Sequence, residues 1–377
     1  LFQEQLLRMA MTVAGFSAGE AEELRRAMGF KRSAARMEKI EARLRAGMAR
    51  NGLDGRRADE IIHSITAFAL YGFPELHAAS FALIDYASAY LKYHHPAAFF
   101  AALLNCYPLG FYHPATLVKD AQRHGVTVLP IDVTSSNWHC TLQHGALRLG
   151  LKYIAGLREE TGRRIEHERE RRLFKSIADF TARVGTNRSE LDRLAHAGAF
   201  AAFGHTRRDA LWNAAAVERN LKSLFAGVKP QSAPAPLPAM LPIEETCADY
   251  AATGLTTGPH LMTYLRPQLR ARGVLSAADL AHAHHGAWVK TAGVVIVRQR
   301  PGTAKGFLFI TLEDETGISN LIVTPALFQQ HRLLLRSANI LLAAGVLQKV
   351  DGVMAIRARR FAELTIDGAL PPSHDFH

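Results

Sequence analysis

The chain has 377 residues, 48% of them hydrophobic, and it contains no run of about 18 apolar residues of the kind that spans a membrane. Its length predicts two to four domains. Its formal net charge of +11 favours a polyanionic partner such as nucleic acid, although a basic solvated surface would give the same sum. The three cysteines are isolated, which suits a reducing cytoplasm, and the opening Leu1-Phe2-Gln3 is expected of a piece cut from a longer protein.

Helical patterns dominate the first fifty residues. Residues 2–14 form an apolar helical pattern, and Ser17 with Glu20 predicts a capping box at the start of the next helix. Nine Lys or Arg against two Glu follow between Arg25 and Arg50. That density is more than a solvated face requires.

A glycine turn precedes the most apolar helices. Gly72 and Pro74 predict a tight turn that leads into a helix, which places His77 and Ser80 in the first turns of that helix. A helix start offers unpaired N–H groups and a partial positive charge, so the two side chains with nearby Arg and Lys could complete a phosphate site. The alternative is that these residues form only a turn and a cap.

The helix after this turn carries an apolar pattern. Phe81, Ile84, Ala87 and Leu91 recur at helical spacing, which predicts one buried face. Pro96 predicts that this helix ends and the next one begins.

Two segments after an irregular stretch, residues 108–138, have the form of helix-hairpin-helix units. In residues 147–170 a hairpin at Gly156-Leu157 precedes a basic helix, and such hairpins approach a DNA phosphate through backbone N–H groups. Arg158 replaces the second glycine of the usual hairpin, which weakens the close approach but offers an arginine to the phosphate. Residues 191–212 resemble a degenerate second copy, whose Thr206 and Asp209 predict a capping box. The alternative is two plain helical pairs.

The pattern changes in the last third of the chain. A proline-rich segment, residues 227–242, predicts a semi-rigid linker. Strands are predicted at 289–298, 307–313, 318–324, 339–348 and 353–361, with a helix at 325–335. This is the order of an OB-fold, a partly open five-stranded barrel that is used to bind single-stranded nucleic acid.

The predicted DNA contacts combine positive charge with one stacking ring. Basic side chains would attract the phosphate backbone, and Phe309 would stack on a base. Residues 313–315, Glu-Asp-Glu, are predicted to form a solvated acidic turn, and the histidines at 282, 284 and 285 lack the second ligand cluster of a metal site, so no metal is predicted. The predicted DNA contacts are Lys152, Gly156, Arg158, Arg207, Arg208, Arg298, Arg300, Lys305 and Phe309.

These segments occur in the order found in one known family. Residues 1–28, YGFPELHAASFALIDYASAYLKYHHPAAFFAALLN, GFYHPATLVKDAQRHGV and TAGVVIVRQRPGTAKGFLFITLEDETG resemble bacterial C-family DNA polymerases, the family of the polymerase III alpha subunit, and above all its error-prone branch. The resemblance covers nearly the whole chain and is weakest at residues 220–246. It implies a mainly α N-terminal part, fingers plus tandem helix-hairpin-helix, followed by a small all-β OB-fold barrel.

The resemblance also implies domains and further sites. The domains are the C-terminal part of the helical fingers (1–128), the tandem helix-hairpin-helix region (129–226), the linker with a short helical lead-in (227–285), the OB-fold (286–366) and a tail (367–377). Replicative relatives carry a sliding-clamp peptide near residue 221, where this chain has Leu221 in place of a glutamine. Leu224 and Phe225 therefore imply weak clamp binding, or a helix end that buries both. The implied nucleotide or phosphate contacts are Arg25, Arg26, Lys31, Arg32, His77 and Ser80.

The implied activity is template-directed DNA synthesis past damage, with Mg²⁺ bound by palm aspartates. Those aspartates have Asp-x-Asp form, and no Asp-x-Asp occurs here, so we expect the fragment alone to be inactive and to bind no cofactor. The implied partners are primer-template DNA, single-stranded template, deoxynucleoside triphosphates and accessory proteins of mutagenesis cassettes, with the sliding clamp reached indirectly. The alternative is a non-catalytic single-stranded-DNA-binding or scaffold protein.

Overall fold

The structure is a computed structural model that describes residues 3–27, 34–69, 75–109, 113–221, 235–301, 304–368, 370 and 373–376. The chain divides into two compact units, Leu1–Leu91 and Lys92–His377. This division falls inside the region predicted as fingers, and the predicted domain boundaries stay predictions. None of the described helices is both long and apolar enough to cross a membrane.

The first unit is helical. Its described elements are α1 (Gln3–Ala14), α2 (Ala18–Ala27), α3 (Ala34–Arg50), α4 (Gly55–Ala69) and the greater part of α5 (Glu75–His94). The predicted capping box is confirmed, since the Ser17 N–H donates to Glu20 Oε2 at 2.8 Å and the Glu20 N–H donates to Ser17 Oγ at 3.3 Å. Gly47 permits α3 to touch α1, because a Cβ there would lie 2.1 Å from the Ala14 carbonyl oxygen. The fully buried core side chains are Leu6, Leu24, Ile40, Leu44, Met48 and Ile65.

The second unit opens with a helical region around a small sheet. Its elements are α6 (Pro96–Asn105), α7 (Pro114–Arg123), β1 (Val128–Leu129), β2 (Thr141–Gln143), β3 (Ala146–Arg148), α8 (Glu159–Arg171), α9 (Ile177–Val184), α10 (Arg188–His196) and α11 (Arg207–Leu221). The sheet order is β1-β3-β2. The rings of Phe174, Phe180 and Phe200 stack edge to face in the core of this region, with centroids 5.0 and 5.2 Å apart. The capping box of Thr206 and Asp209 is confirmed.

Three helices lead into the barrel: α12 (Pro242–Thr253), α13 (Met262–Ala271) and α14 (Ala277–His282). The sequence predicted a short helical lead-in but missed α12, which begins where the proline-rich segment ends. Leu261, Met262 and Leu269 pack against Val294 and Ile340 of the barrel in one buried cluster. The lead-in is therefore fixed to the barrel by apolar burial, which stabilises it by about 25 cal/mol per Å² removed from water.

The C-terminal part is a closed five-stranded barrel. Its elements are β4 (Trp288–Gln299), β5 (Leu308–Glu313), β6 (Ile318–Val323), α15 (Pro325–Gln330), α16 (Arg332–Ser337), β7 (Ile340–Val350) and β8 (Val353–Glu363). The strands follow the order β4-β5-β6-β8-β7 and close back on β4, which is OB-fold topology. The first and last residues of each predicted strand lie within two residues of those of an observed strand, so the predicted barrel is confirmed. Two details differ: the predicted helix at 325–335 is two short helices, and the predicted tail contributes β9 (His374–Phe376), which runs parallel to β4.

Candidate nucleic-acid interface

The outer face of β5, β6 and β8 carries a row of three side chains suited to single-stranded nucleic acid. In these strands alternate residues point into the core, so Leu308, Ile310, Leu321, Ile356 and Ala358 are buried and their neighbours face outward. Phe309 pairs with Ile322, and Ile322 pairs with Arg357. A ring, an aliphatic side chain and a guanidinium therefore stand side by side across three strands.

Strand β8 extends the positive charge along this face. Arg357, Arg359 and Arg360 are exposed, and none of the three forms an ion pair with any described residue. A register shift opposite Ala344 and Gly345 brings Arg360 out beside the other two. Sequence reasoning missed these arginines, although the alternation of Arg357 and Arg359 with apolar neighbours was the signal that they face solvent.

The loop between β4 and β5 adds two of the predicted contacts. Lys305 is exposed at the tip of this loop with φ of 50°, and Arg300 is exposed with its guanidinium over the Phe328 ring, 4.9 Å from the centroid. Phe309, the predicted stacking ring, is half-buried at the start of β5. These three side chains therefore lie at one end of the barrel.

Arg298 does not belong with them, which corrects the predicted set. Its side chain is 7% exposed, and its guanidinium donates to the Leu335 carbonyl at 2.7 Å, to the Ala338 carbonyl, and to Ser373. A β-bulge between Val295 and Val297 shifts the phase of the alternation along β4, and the shift turns Arg298 inward. Arg298 therefore holds the end of α16 rather than a DNA strand.

The first helix-hairpin-helix turn is filled by the protein's own groups. Gly156 has φ of +75°, and a Cβ there would lie 2.5 Å from the Arg193 guanidinium, which donates to the Ala155 carbonyl. The Ala155 N–H donates to the Ala252 carbonyl at 2.9 Å. Close approach at Gly156 is therefore made by α10 and α12 and not left open for a phosphate.

Glu190 lies beside this hairpin and binds the arginine that was predicted to contact DNA. Its buried carboxylate accepts from the Arg158 side chain at 2.9 and 3.1 Å and from Thr161 Oγ1 at 2.8 Å. Burial alone would raise the pKa of Glu190, but the hydrogen bonds from Arg158, Thr161 and the Asn187 N–H lower it to about 2. Arg158 thus has a carboxylate partner within the chain, and its predicted contact with DNA stays a prediction.

Three further predicted DNA contacts also have internal partners. Lys152 Nζ donates to the Asn105 carbonyl at 3.0 Å, at the C-terminal end of α6 where a cation is favoured. Arg207 forms an ion pair with Asp249, and Arg208 donates to the Pro238 carbonyl and reaches Glu244. The two arginines link the hairpin region to the segment that follows it, and the predicted contacts of the three side chains with DNA stay predictions.

The acidic segment at 313–315 is a buried junction, not the predicted solvated turn. Glu313 and Asp314 are each 3% exposed. Arg123 of α7 donates to Glu313 Oε1 at 2.6 Å, and Arg266 of α13 bonds to both Asp314 and Glu315. Burial raises the pKa of Glu313 to about 7 against the opposing effect of Arg123, and burial lowers the pKa of the neighbouring His260 to about 3. The segment joins the barrel to the helices before it.

Comparisons with known proteins agree with this architecture. Residues 1–52 match the bacterial DNA polymerase III alpha subunit finger domain, and residues 125–210 match the helix-hairpin-helix motif. All of the chain aligns with proteins named error-prone DNA polymerase, at 45% identity in Anaeromyxobacter sp., 44% in Pseudomonas fluorescens and 43% in Alkalilimnicola ehrlichii. The chain is a homologue of the error-prone DNA polymerases. The resemblance and the predicted fold class are confirmed.

The chain spans little more than a third of the length of these relatives. It spans 34%, 38% and 37% of those three relatives. Among solved structures, asparaginyl-tRNA synthetase from Pyrococcus horikoshii is similar over 25% of this chain and 24% of its own, at 15% identity and a TM-score of 0.22. That similarity is too low to support an argument about fold or function.

The described nucleotide contacts predicted from the sequence lie on separate elements of the first unit. Arg25 and Arg26, at the end of α2, both pair with Glu22, at 2.7 and 3.2 Å, and all three side chains are solvent-accessible. His77 and Ser80 are exposed in the first turns of α5, and the His77 ring lies 4.4 Å from that of Phe81. Lys31, Arg32, Gly72 and Pro74 lie outside the described residues, as do Leu224 and Phe225 of the clamp peptide.

The buried face predicted for α5 is wrong. Phe81 is 48% exposed, Ile84 58% and Leu91 46%. Leu83 and Tyr86, on the opposite side of the helix, are 74% exposed. The helix is apolar on every side, so spacing alone did not define an inner face.

Proposed function

We propose that this chain is the part of an error-prone DNA polymerase that holds single-stranded template and presents it for synthesis past damage. The observation that carries the proposal is the row formed by Phe309, Ile322 and Arg357 on the outer face of the barrel. The similarity to error-prone polymerases over the whole chain supports the choice of a template strand as the ligand.

The row combines the two attractions that hold unpaired strands. Stacking of a base on an aromatic ring contributes about 1–3 kcal/mol and tolerates any base, which suits a protein that must accept every template. Adjacent strands are about 4.8 Å apart, so the Cα atoms of Phe309 and Arg357 stand about 10 Å apart across the row. One short segment of DNA can therefore place a base on the ring while its phosphate meets Arg357, with Arg359 beside it.

We further propose that the fingers residues Arg25, Arg26, Lys31, Arg32, His77 and Ser80 contact the phosphates of the incoming nucleotide. The finger-domain match over residues 1–52 supports the first four. The pairs of Arg25 and Arg26 with Glu22 lie at the surface, where such pairs contribute about 0–1 kcal/mol, so a triphosphate can compete for both guanidinium groups.

The described residues do not fit the catalytic Mg²⁺ of the implied polymerase. They include no group of three or more His, Cys, Asp or Glu that could hold a metal ion. We therefore derive no phosphoryl-transfer step from this chain and assign to it the binding of template and nucleotide. Accessory proteins, indirect attachment to the sliding clamp and a cytoplasmic location belong to the same proposal.

The test measures binding of the 377-residue chain to labelled oligo-dT and to duplex DNA by fluorescence anisotropy. Phe309→Ala should weaken oligo-dT binding by about 5- to 150-fold, the equivalent of the stacking energy. Arg357→Gln/Arg359→Gln should lower the slope of log K against log salt by about 1.4, since each phosphate contact on a single strand contributes about 0.7. Duplex binding should change less in both variants.

The matched control is Arg270→Gln/Arg272→Gln, which removes the same charge at two exposed positions two residues apart, off the proposed face. Equal losses in the control and in the face variants would show that only total charge matters. Equal losses for duplex and single-stranded DNA would remove the assignment of the face to unpaired template.

A further inference from the structure

A small arginine-lined cavity opens at the end of the barrel, between the last residues of β4 and the two helices α15 and α16. Its volume is about 140 Å³, the space of about four to five water molecules. This cavity is distinct from the outer face described above, because α16 contributes Arg332, Leu335 and Arg336 to its lining. The residues that line it include Arg298, Arg300, Leu308, Phe328, Arg332 and Arg336.

Two of the arginines are held in place by the fold. Arg298 is buried and donates to carbonyl oxygens at the end of α16 and to Ser373 next to β9, so these hydrogen bonds hold its side chain in one place in the cavity lining. The Arg300 guanidinium lies 4.9 Å from the centroid of the Phe328 ring, and this cation–π contact directs it along the rim of the cavity. The apolar base of the cavity, Leu308 and Phe328, offers no acceptor to either group.

The other two arginines, Arg332 and Arg336, place two positive charges close to each other. Arg332 and Arg336 are four residues apart on α16 and so share one face of that helix, an arrangement that destabilises an isolated helix by about 0.2–0.5 kcal/mol. Among the described residues, the one carboxylate at ion-pair distance from any of the four arginines is Asp375, 3.4 Å from Arg298. Three guanidinium groups, those of Arg300, Arg332 and Arg336, therefore surround the cavity with no described carboxylate partner.

We propose that this cavity binds one phosphate group. Guanidinium groups pair with phosphate through two parallel hydrogen bonds each, and the three free groups match an anion that has several oxygens. Arg300, which lines the cavity, follows Gln299, and Gln299 pairs with Phe309, so a strand stacked on Phe309 lies at the same end of the barrel as the cavity. The phosphate is either a phosphodiester of that strand, which rests on the proposed template function, or the terminal phosphate monoester of a strand end.

The first experiment tests the cavity without DNA. Unfolding of the full chain is followed by tryptophan fluorescence on heating, with inorganic phosphate or with chloride at equal ionic strength. Phosphate should raise the melting temperature of the wild type and not that of Arg332→Gln/Arg336→Gln, because only a folded state that binds phosphate is stabilised by it. Arg332→Lys/Arg336→Lys keeps the charge and loses the paired hydrogen bonds, and it should respond only partly. If the Gln variant does not fold, this Lys variant decides.

The second experiment separates the sources of the phosphate. Oligo-dT with and without a 5′-phosphate is titrated against the wild type, Arg332→Gln/Arg336→Gln and the control Arg270→Gln/Arg272→Gln. A fall of about 0.7 in the salt slope for both oligonucleotides identifies a phosphodiester, and a loss confined to the phosphorylated one identifies a strand end. The proposal is overturned if the Gln variant matches the wild type in both experiments. If the wild type binds no DNA, the template function fails while the phosphate experiment still decides the cavity.

Discussion

The free energy of unfolding of the second unit should depend strongly on the carboxylate of Glu190. This carboxylate is 3% exposed and receives hydrogen bonds from Arg158, from Thr161 and, as part of a capping box, from the Asn187 N–H. Its pKa is lowered from 4.5 to about 2, and a shift of that size corresponds to about 3 kcal/mol of stabilisation. Because Arg158 is 56% exposed and its charge is screened by water, we expect Glu190→Gln to cost about 2–3 kcal/mol at neutral pH.

The pH dependence has a definite sign. The pKa of Glu190 is lower in the folded state than in the unfolded one, so its stabilisation is present above pH 4.5 and is lost as the pH falls toward 2. The difference between wild type and Glu190→Gln should therefore shrink over that window. Urea unfolding followed by tryptophan fluorescence measures it, since Trp138, Trp212 and Trp288 all lie in the second unit.

A matched control is available on the neighbouring helix. Glu159→Gln removes an exposed carboxylate that pairs with Arg163 at 3.3 Å and should change the free energy of unfolding by less than about 0.5 kcal/mol. The reasoning is refuted if Glu190→Gln is as stable as the wild type at neutral pH. It is also refuted if the cost persists undiminished at pH 2.5.

Three other substitutions probe the packing that holds the candidate sites. Burial raises the pKa of Glu313 to about 7, so the stabilisation by its protonated form is present below pH 4.5 and is lost as the pH rises to 7. In urea unfolding, the free energy of unfolding of Glu313→Gln should therefore rise relative to that of the wild type over this window. In thermal unfolding followed by far-UV circular dichroism, Gly47→Ala should destabilise the first unit by about 1–3 kcal/mol or more, whereas Gly19→Ala, in open space on α2, should be neutral or stabilising. Arg266→Ala should cost about 3–5 kcal/mol because it leaves the buried carboxylate of Asp314 and the partly buried one of Glu315 without their partner.

The barrel could be predicted from the sequence because strand alternation is a local signal. Each run of alternating apolar residues has one core face, and slipping it by one residue would expose that face, so the pattern fixes which residues are buried. Arg298 is the place where this logic fails, since the bulge between Val295 and Val297 changes the phase of the strand. A bulge depends on the partner strand and leaves no trace in the residues of one strand alone.

The arginines of the hairpin region could not be assigned from the sequence because their partners are remote. Arg158 meets Glu190, which is 32 residues away, and Arg207 meets Asp249, which is 42 residues away. A motif shows that an arginine lies at a helix start, but only the fold shows whether a carboxylate of the same chain pairs with it. The same holds for the buried acidic junction, where Glu313 meets Arg123 across 190 residues.

These pairings change what the net charge of +11 means for DNA binding. The sum counts every arginine equally, yet the charge of an arginine bonded to a buried carboxylate is already compensated, and taking it to a phosphate would leave that carboxylate unpaired at a cost of several kcal/mol. In the described part of the second unit Arg158 is of this kind, whereas Arg207 pairs with the partly buried Asp249 and Arg208 with the more exposed Glu244. Arginines 357, 359 and 360 on β8 and 332 and 336 on α16 form no described ion pair. An anionic strand can reach those groups without breaking an ion pair of the described residues, so we expect the barrel to attract DNA at a lower cost than Arg158 does.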